Sequence, residues 1–255
     1  MALAHDHGCA LDAAGTLSCW GRNDFGKLGL GDSDIVEGLE PRALPGRWSS
    51  VSAGRHHACA IQLDGRVSCW GDNRFGQLGL GDVVGAAAPQ PVEGVDRVRL
   101  VRVGSFSSCA LTEDGVVHCW GSNDRGQLGR IPLGGIHEVA PIDSDLRFRD
   151  LDCGRSHCCA LSEESELYCW GWNSQGQLGI GVRGTGGSND ESLGVGSPRL
   201  VGRGPWESVS AGFTSTCAIR PGGRLFCWGD NRRGQLGFAS SDESPTQVIP
   251  QRVCF

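Results

Sequence analysis

The sequence predicts an all-β fold built from five copies of one repeat. Each copy contains a Cys-Ala-Leu or Cys-Ala-Ile segment, a turn, a Cys-Trp-Gly segment and an Asn-x-x-Gly-x-Leu-Gly tail. Self-similarity at a period of about fifty residues indicates a repeat architecture, in which each unit buries its apolar face against its neighbours. The even repetition favours a single domain over residues 1–255. The copies begin at Cys9, Cys59, Cys109, Cys159 and Cys217.

Composition narrows the range of functions. The 41 glycines suit many short strands joined by tight turns. The net charge is −6 and the arginines are scattered, whereas phosphate recognition needs clustered positive charge. We therefore expect no nucleic-acid partner. No apolar run approaches the ~20 residues of a membrane span, and residues 1–7 have neither the basic nor the apolar region of a secretory signal.

The two cysteine segments of each copy are expected to form a β-hairpin. In the second copy, alternation places Cys59 and Cys69 on one face of a strand pair. The loop at residues 63–65 ends in glycine and fits a type I turn closed by a residue in the left-handed region. The predicted hairpins span residues 9–19, 59–69, 109–119, 159–169 and 217–227.

The loops of the last two copies differ from this pattern. The fifth loop, Pro221-Gly222-Gly223, has proline where a type I turn favours it and glycine at the closing position. The fourth loop, Glu163-Glu164-Ser165, has no glycine, so we expect it to be strained or differently shaped.

The hairpin register places Cys59 opposite Cys69 at a pair without direct hydrogen bonds. The Cα atoms of such pairs lie ~4.5 Å apart, just inside the range that a disulfide tolerates. The alternative is that the cysteines are buried reduced thiols acting as small apolar side chains. The candidate disulfides are Cys9–Cys19, Cys59–Cys69, Cys109–Cys119, Cys159–Cys169 and Cys217–Cys227. Because Cys153, Cys158 and Cys254 are left over, at least one thiol is expected to be free or paired outside this chain.

The tryptophan after each second cysteine is expected to supply the core, because an indole ring can bury ~150–250 Å². The tail that follows superficially resembles a phosphate-binding loop, but it lacks Lys-Ser or Lys-Thr and is copied five times, which favours a scaffold role. The repeated tryptophans are Trp20, Trp70, Trp120, Trp170 and Trp228, and equivalent apolar strand starts are Trp48, Val98, Phe148 and Trp206.

The second copy carries a family likeness. Its segments Ala-Gly-x-x-His-x-x-Ala-Ile (53–61) and Asp-Gly-x-Val-x-x-Trp-Gly-x-Asn-x-x-Gly-Gln-Leu-Gly (64–79) resemble the repeat of the regulator of chromosome condensation family, and the likeness covers essentially the whole chain. The resemblance implies a β-propeller of four-stranded antiparallel blades around a central channel. The cysteine-bearing version resembles bacterial members that are usually surface-exposed or secreted. The eponymous nuclear protein has seven repeats, exchanges guanine nucleotide on a small GTPase and binds chromatin.

The phase of the two ends predicts how the blades close. Phe255 matches the position of Trp48, and Ala4 matches Gly54, so the ends joined together lack only about two residues of a fifth repeat. We therefore expect a five-bladed ring whose last blade shares strands from both termini. The alternative is that the chain is part of a longer, seven-repeat ring.

Residues that differ between copies are the candidates for binding. Equivalent loops of a propeller gather on one rim, and arginine and aromatic side chains are typical interface anchors. Trp172 is the strongest candidate, because the other copies have polar residues at its position. The candidates are Phe25, Phe75, Arg125, Trp172, Arg232 and Arg233. The alternative is a solvated surface with incidental charges.

The sequence gives little support for a calcium site, another metal site or a catalytic site. Residues 181–198 contain an insertion whose Asn189, Asp190 and Glu191 offer oxygen atoms, but their spacing matches no calcium loop and favours a flexible linker. Equivalent histidines repeated around a propeller are scattered rather than convergent, so we expect no metal site. These are His7, His57 and His157. No catalytic arrangement follows from the spacing, and no cofactor is predicted.

The sequence thus predicts a non-enzymatic, monomeric scaffold that binds an unknown protein partner through variable rim loops. The paired cysteines favour an extracytoplasmic or secreted location. The alternative, implied by the family resemblance, is guanine-nucleotide exchange or GTPase regulation.

Overall fold

The computed structural model describes residues 1–31, 38–81, 84–131, 135–184, 194–239 and 245–254. Within these ranges the chain forms twenty β-strands in five four-stranded antiparallel sheets. The predicted all-β fold with five four-stranded repeats is confirmed.

Each sheet uses four strands that follow one another along the chain. The first sheet contains β1 (Ala2–Leu3), β2 (His7–Leu11), β3 (Leu17–Gly21) and β4 (Gly38–Ala43), with a 3-10 segment at Asp24–Gly26. The second contains β5 (Trp48–Ala53), β6 (His57–Gln62), β7 (Val67–Asp72) and β8 (Gly85–Pro91). The third contains β9 (Val98–Val103), β10 (Ser107–Thr112), β11 (Val117–Ser122) and β12 (Ile136–Pro141). The fourth contains β13 (Phe148–Cys153), β14 (His157–Ser162), β15 (Leu167–Trp172) and β16 (Gly194–Gly202). The fifth contains β17 (Ser208–Ala211), β18 (Ser215–Arg220), β19 (Arg224–Asp230) and β20 (Thr246–Arg252).

The chain divides into two compact units. The first unit comprises Met1–Ser122 and Ile136–Pro141, and it holds the first three sheets. The second unit comprises Asn123–Gly135 and Ile142–Phe255, and it holds the fourth and fifth sheets.

The expectation that one blade combines strands from both termini is wrong. Strand β1 pairs with β2 in the first sheet, and β20 pairs with β19 in the fifth. The reason is local: the amide of Ala4 donates to the carbonyl of His7 at 2.9 Å, as Gly54 does to His57. This turn folds the N-terminal segment back onto its own sheet. Phe255 lies outside the described residues.

The predicted hairpin register is confirmed. Cys59 lies opposite Cys69 and Ile61 opposite Val67, and every other copy pairs its two cysteines in the same way. The Cα atoms of Cys59 and Cys69 are 4.1 Å apart, as expected for a pair without direct hydrogen bonds. Gly65 closes the loop with a φ of +83°.

The fourth and fifth loops refine the turn predictions. Ser165 has a φ of +64°, and its amide donates to the carbonyl of Ser162 at 2.9 Å, so the fourth loop keeps the common shape with a serine in the left-handed region. In the fifth loop, both Gly222 and Gly223 have positive φ, +81° and +71°. A type I turn needs negative φ at both central residues, so that prediction is wrong; two glycines allow the alternative at little steric cost.

Four of the five repeated tryptophans are fully buried, whereas Trp20 is partly buried. Each buried indole N–H donates to a backbone carbonyl in the tail of the preceding copy, so one repeat's tail packs against the next repeat's tryptophan. The pairs are Trp70 with Lys27 (3.0 Å), Trp120 with Gln77 (2.9 Å), Trp170 with Gln127 (3.1 Å) and Trp228 with Gln177 (2.9 Å). The strand starts Trp48, Val98, Phe148 and Trp206 are also buried.

The repeated pattern of the tail has a structural explanation. The side-chain oxygen of Asn73 accepts a hydrogen bond from the amide of Leu78 at 2.7 Å, and its amide group donates to the carbonyl of Gly81 at 3.3 Å. Gly79 has a φ of +70°, and a Cβ there would lie 3.2 Å from the indole nitrogen of Trp120. The asparagine therefore shapes the tail, and the last glycine allows it to approach the tryptophan.

Candidate functional site

Two segments that vary between copies lie side by side at one end of each sheet. One is the turn between the first and second strands, here called the leading turn, and the other is the start of the tail, here called the tail loop. In the second sheet, the amide of Asp72 donates to the carbonyl of His56 at 3.0 Å, and the other four sheets have the equivalent bond. The leading turns are residues 4–6, 54–56, 104–106, 154–156 and 212–214, and the tail loops are residues 22–26, 72–76, 122–126, 172–176 and 230–234. Together they form the variable end of a sheet.

In the first unit, the variable ends carry a row of aromatic rings. Phe25 contacts His56 edge-on with a centroid distance of 6.1 Å, His56 stacks on Phe106 at 5.6 Å, and Phe106 contacts Phe75 at 4.7 Å. The guanidinium of Arg74 lies 4.7 Å from the centroid of Phe25. Phe25 and Phe75 are 44% and 37% exposed. Two predicted rim residues are thus joined through two leading-turn residues.

In the second unit, Trp172 belongs to an arginine–aromatic cluster formed by Arg125, Arg155, Trp172 and Phe213. The guanidinium groups of Arg125 and Arg155 lie 5.7 and 5.6 Å from the Trp172 ring centroid. Arg155 also lies 4.7 Å from the centroid of Phe213, which is 56% exposed. The structure therefore brings the predicted rim residues Arg125 and Trp172 into contact.

A cavity of about 560 Å³ opens beside this cluster. Arg155, Trp172 and Phe213 line one part of it, and the predicted rim residues Arg232 and Arg233 line another. Both of these last arginines are exposed. The cavity thus combines exposed aromatic surface with several guanidinium groups.

Two arginines of the tail loops are held by aspartates of the same loops. Arg232 forms a fork on Asp230 with two N–O distances of 2.9 Å, and Arg74 does the same on Asp72 at 2.9 and 3.0 Å. The hydrogen bond from Arg232 lowers the pKa of Asp230. Burial raises the pKa of Asp72, but the hydrogen bonds from Arg74, together with the charges of Arg74 and His56, outweigh it and leave that pKa below its usual value.

Four side chains of these clusters were missed by the sequence reasoning, which compared only the tail loops between copies. They are His56, Phe106, Arg155 and Phe213. A signal was present, because two positions of the leading turn vary between copies. The first reads His5, Arg55, Ser105, Arg155 and Phe213, and the second reads Asp6, His56, Phe106, Ser156 and Thr214. Asn189, Asp190 and Glu191 of the insertion lie outside the described residues.

Buried histidines connect neighbouring repeats within each unit. His57 Nε2 lies 2.8 Å from Ser108 Oγ, which donates to the carbonyl of Gln77 at 2.8 Å. His157 Nε2 lies 2.9 Å from Thr216 Oγ1 in the equivalent arrangement. Burial lowers the pKa of His57 to about 3 and the pKa of His157 to about 4. These residues therefore serve as neutral packing and hydrogen-bonding groups at neutral pH.

Lys27 is a further residue that sequence reasoning did not single out. It stands where the other copies have glutamine, and it is only 2% exposed. Its ammonium group lies 2.8 Å from Asp6 and 3.6 Å from Asp24. Burial raises the pKa of Asp6, but the hydrogen bonds and charges of Lys27 and His7 together outweigh it and leave that pKa below its usual value. The buried lysine thus has two carboxylate partners.

All five candidate cysteine pairs have their sulfur atoms at disulfide-bonding distance, between 2.07 and 2.14 Å. A sixth pair joins Cys153 to Cys158, which face each other across β13 and β14. Sequence reasoning left these two unassigned because it derived the register of the hairpin but not that of the first strand. Cys254 is exposed and free.

Solved structures share this fold. Yeast RCC1 (Prp20), determined with bound Kap60, has 22% identity and a TM-score of 0.83, and the match covers 98% of this chain and 59% of that chain. Human WBSCR16 has 22% identity and a TM-score of 0.83, with 99% of this chain and 66% of that chain covered. The Physcomitrella patens receptor kinase CR4 ectodomain has 22% identity and a TM-score of 0.55, with 89% and 52% covered. This chain therefore spans less than two thirds of each of these proteins.

Sequence comparison defines the family. No curated protein matches the chain. In the described residues, no helix has the length and apolar character needed to cross a membrane. Two family models, both described as the regulator of chromosome condensation (RCC1) repeat, match the chain. One matches residues 48–77, 98–127, 148–177 and 206–235, and the other matches residues 14–61, 64–111, 114–161, 164–219 and 222–255. The chain therefore belongs to the RCC1 repeat family and is a β-propeller protein.

Proposed function

We propose that this protein is a non-enzymatic, monomeric scaffold that binds a protein partner through the variable ends of its sheets. The observation that carries the proposal is the arginine–aromatic cluster at Trp172. Exposed aromatic and arginine side chains around a cavity are the residue types that contribute most to protein interfaces.

The division of labour between repeated and variable residues supports the proposal. The repeated tryptophan and the last glycine of the tail make contacts between one repeat and the next, and the repeated asparagine holds the shape of its own tail. Residues fully used in packing are poor candidates for binding a partner, whereas loops held by a rigid scaffold are good ones. The side chains that differ between copies therefore carry the recognition in this proposal.

We further propose an extracytoplasmic location, because disulfides form and persist mainly in oxidising compartments. Alkylation of the native protein followed by mass spectrometry tests this. We expect Cys254 alone to be modified without reductant and the paired cysteines to be modified only after reduction. Alkylation of the ten hairpin cysteines without reduction contradicts the proposed location.

Photo-crosslinking tests the binding proposal. A benzophenone amino acid placed at Phe213 lies on the variable end of the fifth sheet, whereas one at Leu63 lies on an exposed hairpin loop at the opposite end of its sheet. We expect a crosslinked protein partner from position 213, with the yield reduced by Trp172→Ala. Crosslinking from position 63 and not from position 213 contradicts the proposal.

Guanine-nucleotide exchange is the alternative that the family suggests. One solved relative, Prp20p from Saccharomyces cerevisiae, is described by its binding to Gsp1p and histones, but it is 22% identical and this chain covers 61% of it. Such a likeness supports the fold alone. Release of labelled GDP from small GTPases measures this activity directly, and acceleration by this protein would favour the alternative.

A further inference from the structure

We infer that the arginine–aromatic cluster and its cavity bind an acidic peptide segment, with Asp or Glu carboxylates as the recognised groups. The inference rests on the proposed function, because it names the chemistry of a protein partner at the same variable ends.

Arg155 provides the central contact. Its guanidinium lies over the rings of Phe213 and Trp172, at 4.7 and 5.6 Å from their centroids. A guanidinium attracted to aromatic rings keeps its in-plane N–H groups available to hydrogen-bond acceptors. That planar fork matches the two oxygens of a carboxylate. The rings therefore position Arg155 to receive a carboxylate.

Arg155 and Arg233 differ from Arg232 in their charge partners. Among the described residues, neither has an ion-pair partner, whereas Arg232 is held by Asp230. Arg155 is partly buried, so it has lost part of its hydration and attracts an anion more strongly than a fully solvated arginine does. A carboxylate from a partner supplies the missing charge.

The charge of this cavity is opposite to that of the whole chain. Three arginines and one aspartate line the cavity, while the chain carries a net charge of −6. The net negative charge of the chain therefore repels an acidic segment, whereas the arginines of the cavity attract it. This difference in charge directs the approach of the segment and fixes where it binds.

The same features favour a peptide over a polyanionic chain. Nucleic acids and sulfated polysaccharides bind through an extended track of positive charge, whereas the arginines here surround one cavity of about 560 Å³. The exposed ring of Phe213 offers an apolar contact beside the arginines. A peptide can satisfy both, because its carboxylates alternate with apolar atoms.

Selection from a random dodecapeptide display library tests the inference. We expect peptides recovered on the immobilised 255-residue chain to be several-fold enriched in Asp and Glu over the starting library. A synthetic copy of a recovered peptide should lose at least tenfold in affinity when its acidic residues become Asn or Gln. Arg155→Gln or Arg233→Gln should cause a similar loss, whereas Arg224→Gln, an exposed arginine beside the hairpin loop of the fifth sheet, should change affinity less than twofold.

Three results would overturn the inference: recovered peptides without acidic enrichment, no recovered peptide at all, or affinity unchanged by Arg155→Gln and Arg233→Gln. Preferential binding of a heparin fragment over every acidic peptide also overturns it. The proposed function stands apart from these outcomes. If neutral peptides bind and Trp172→Ala abolishes their binding, the variable end still binds protein but does not recognise carboxylate groups.

Discussion

Ser165 has the left-handed backbone conformation that glycine has at the equivalent position of the first three hairpin loops. Its φ is +64°, whereas Gly15, Gly65 and Gly115 at the equivalent position have φ values of +80°, +83° and +82°. The left-handed conformation costs a residue with a Cβ roughly 1–2 kcal/mol. Glycine avoids this cost, but it loses more conformational entropy on folding, which offsets part of the gain. We therefore expect Ser165→Gly to raise the free energy of unfolding in urea by about 0.5–1 kcal/mol. Gly65→Ala should lower it, and a destabilising Ser165→Gly contradicts this explanation.

Gly179 tests the contact between a tail and the next tryptophan. A Cβ at this position would lie 2.6 Å from the indole nitrogen of Trp228, and the φ of Gly179 is +70°. Gly222 is a matched control, because its φ is +81° and no atom lies within 4 Å of an added Cβ. We expect Gly179→Ala to lower the free energy of unfolding by more than about 2 kcal/mol, and Gly222→Ala by about 1 kcal/mol. Equal effects in urea unfolding would show that the tail does not need this close approach.

At the level of elements, each hairpin is joined by a cysteine pair ten residues apart. A crosslink that closes so short a loop stabilises mainly by restricting the unfolded chain. We expect Cys59→Ala with Cys69→Ala to lower the free energy of unfolding by roughly 2–3 kcal/mol without reductant. Cys254→Ser serves as the control and should have no effect, because Cys254 is exposed and unpaired. A double variant as stable as the parent protein contradicts the stabilising role.

The hairpin was predictable because strand alternation and loop length together determine its register. The fifth turn was not, because the sequence Pro-Gly-Gly permits positive φ at either glycine. The pair Cys153–Cys158 was missed because its register depends on the turn around Gly154, which the repeat pattern alone did not define. The contact of Arg155 with Phe213 joins leading turns 58 residues apart, and no spacing within one copy encodes it.

For the whole molecule, buried histidines predict sensitivity to acid. Burial lowers the pKa of His57 to about 3 and the pKa values of His7 and His157 to about 4. The unfolded chain, with histidine pKa values of ~6.5, therefore binds more protons than the folded chain in this range. The contribution of these histidines to the free energy of unfolding is therefore fully present above about pH 7.5 and decreases as the pH drops through 6.5 towards 4. By about pH 5, each histidine has lowered the free energy of unfolding by about 2 kcal/mol.

Urea unfolding at several pH values measures this effect. His157→Ser introduces the residue type that two other copies have at this position, so it should reduce the pH dependence by the share of one histidine. A free energy of unfolding that stays constant between about pH 7.5 and 5 contradicts the assignment of these histidines as buried and neutral.

The most direct test of the central claim, that recognition lies where the copies differ, is an alanine scan of both ends of the sheets against a captured partner. Phe75, Phe213 and Arg233 sample the variable ends, and the exposed residues Leu63, Arg66 and Arg224 sample the hairpin-loop ends. Calorimetric titration should show affinity losses of about tenfold or more, equivalent to 1.4 kcal/mol, confined to the variable ends. Losses of that size at the hairpin-loop ends, with the variable ends unaffected, would contradict the claim.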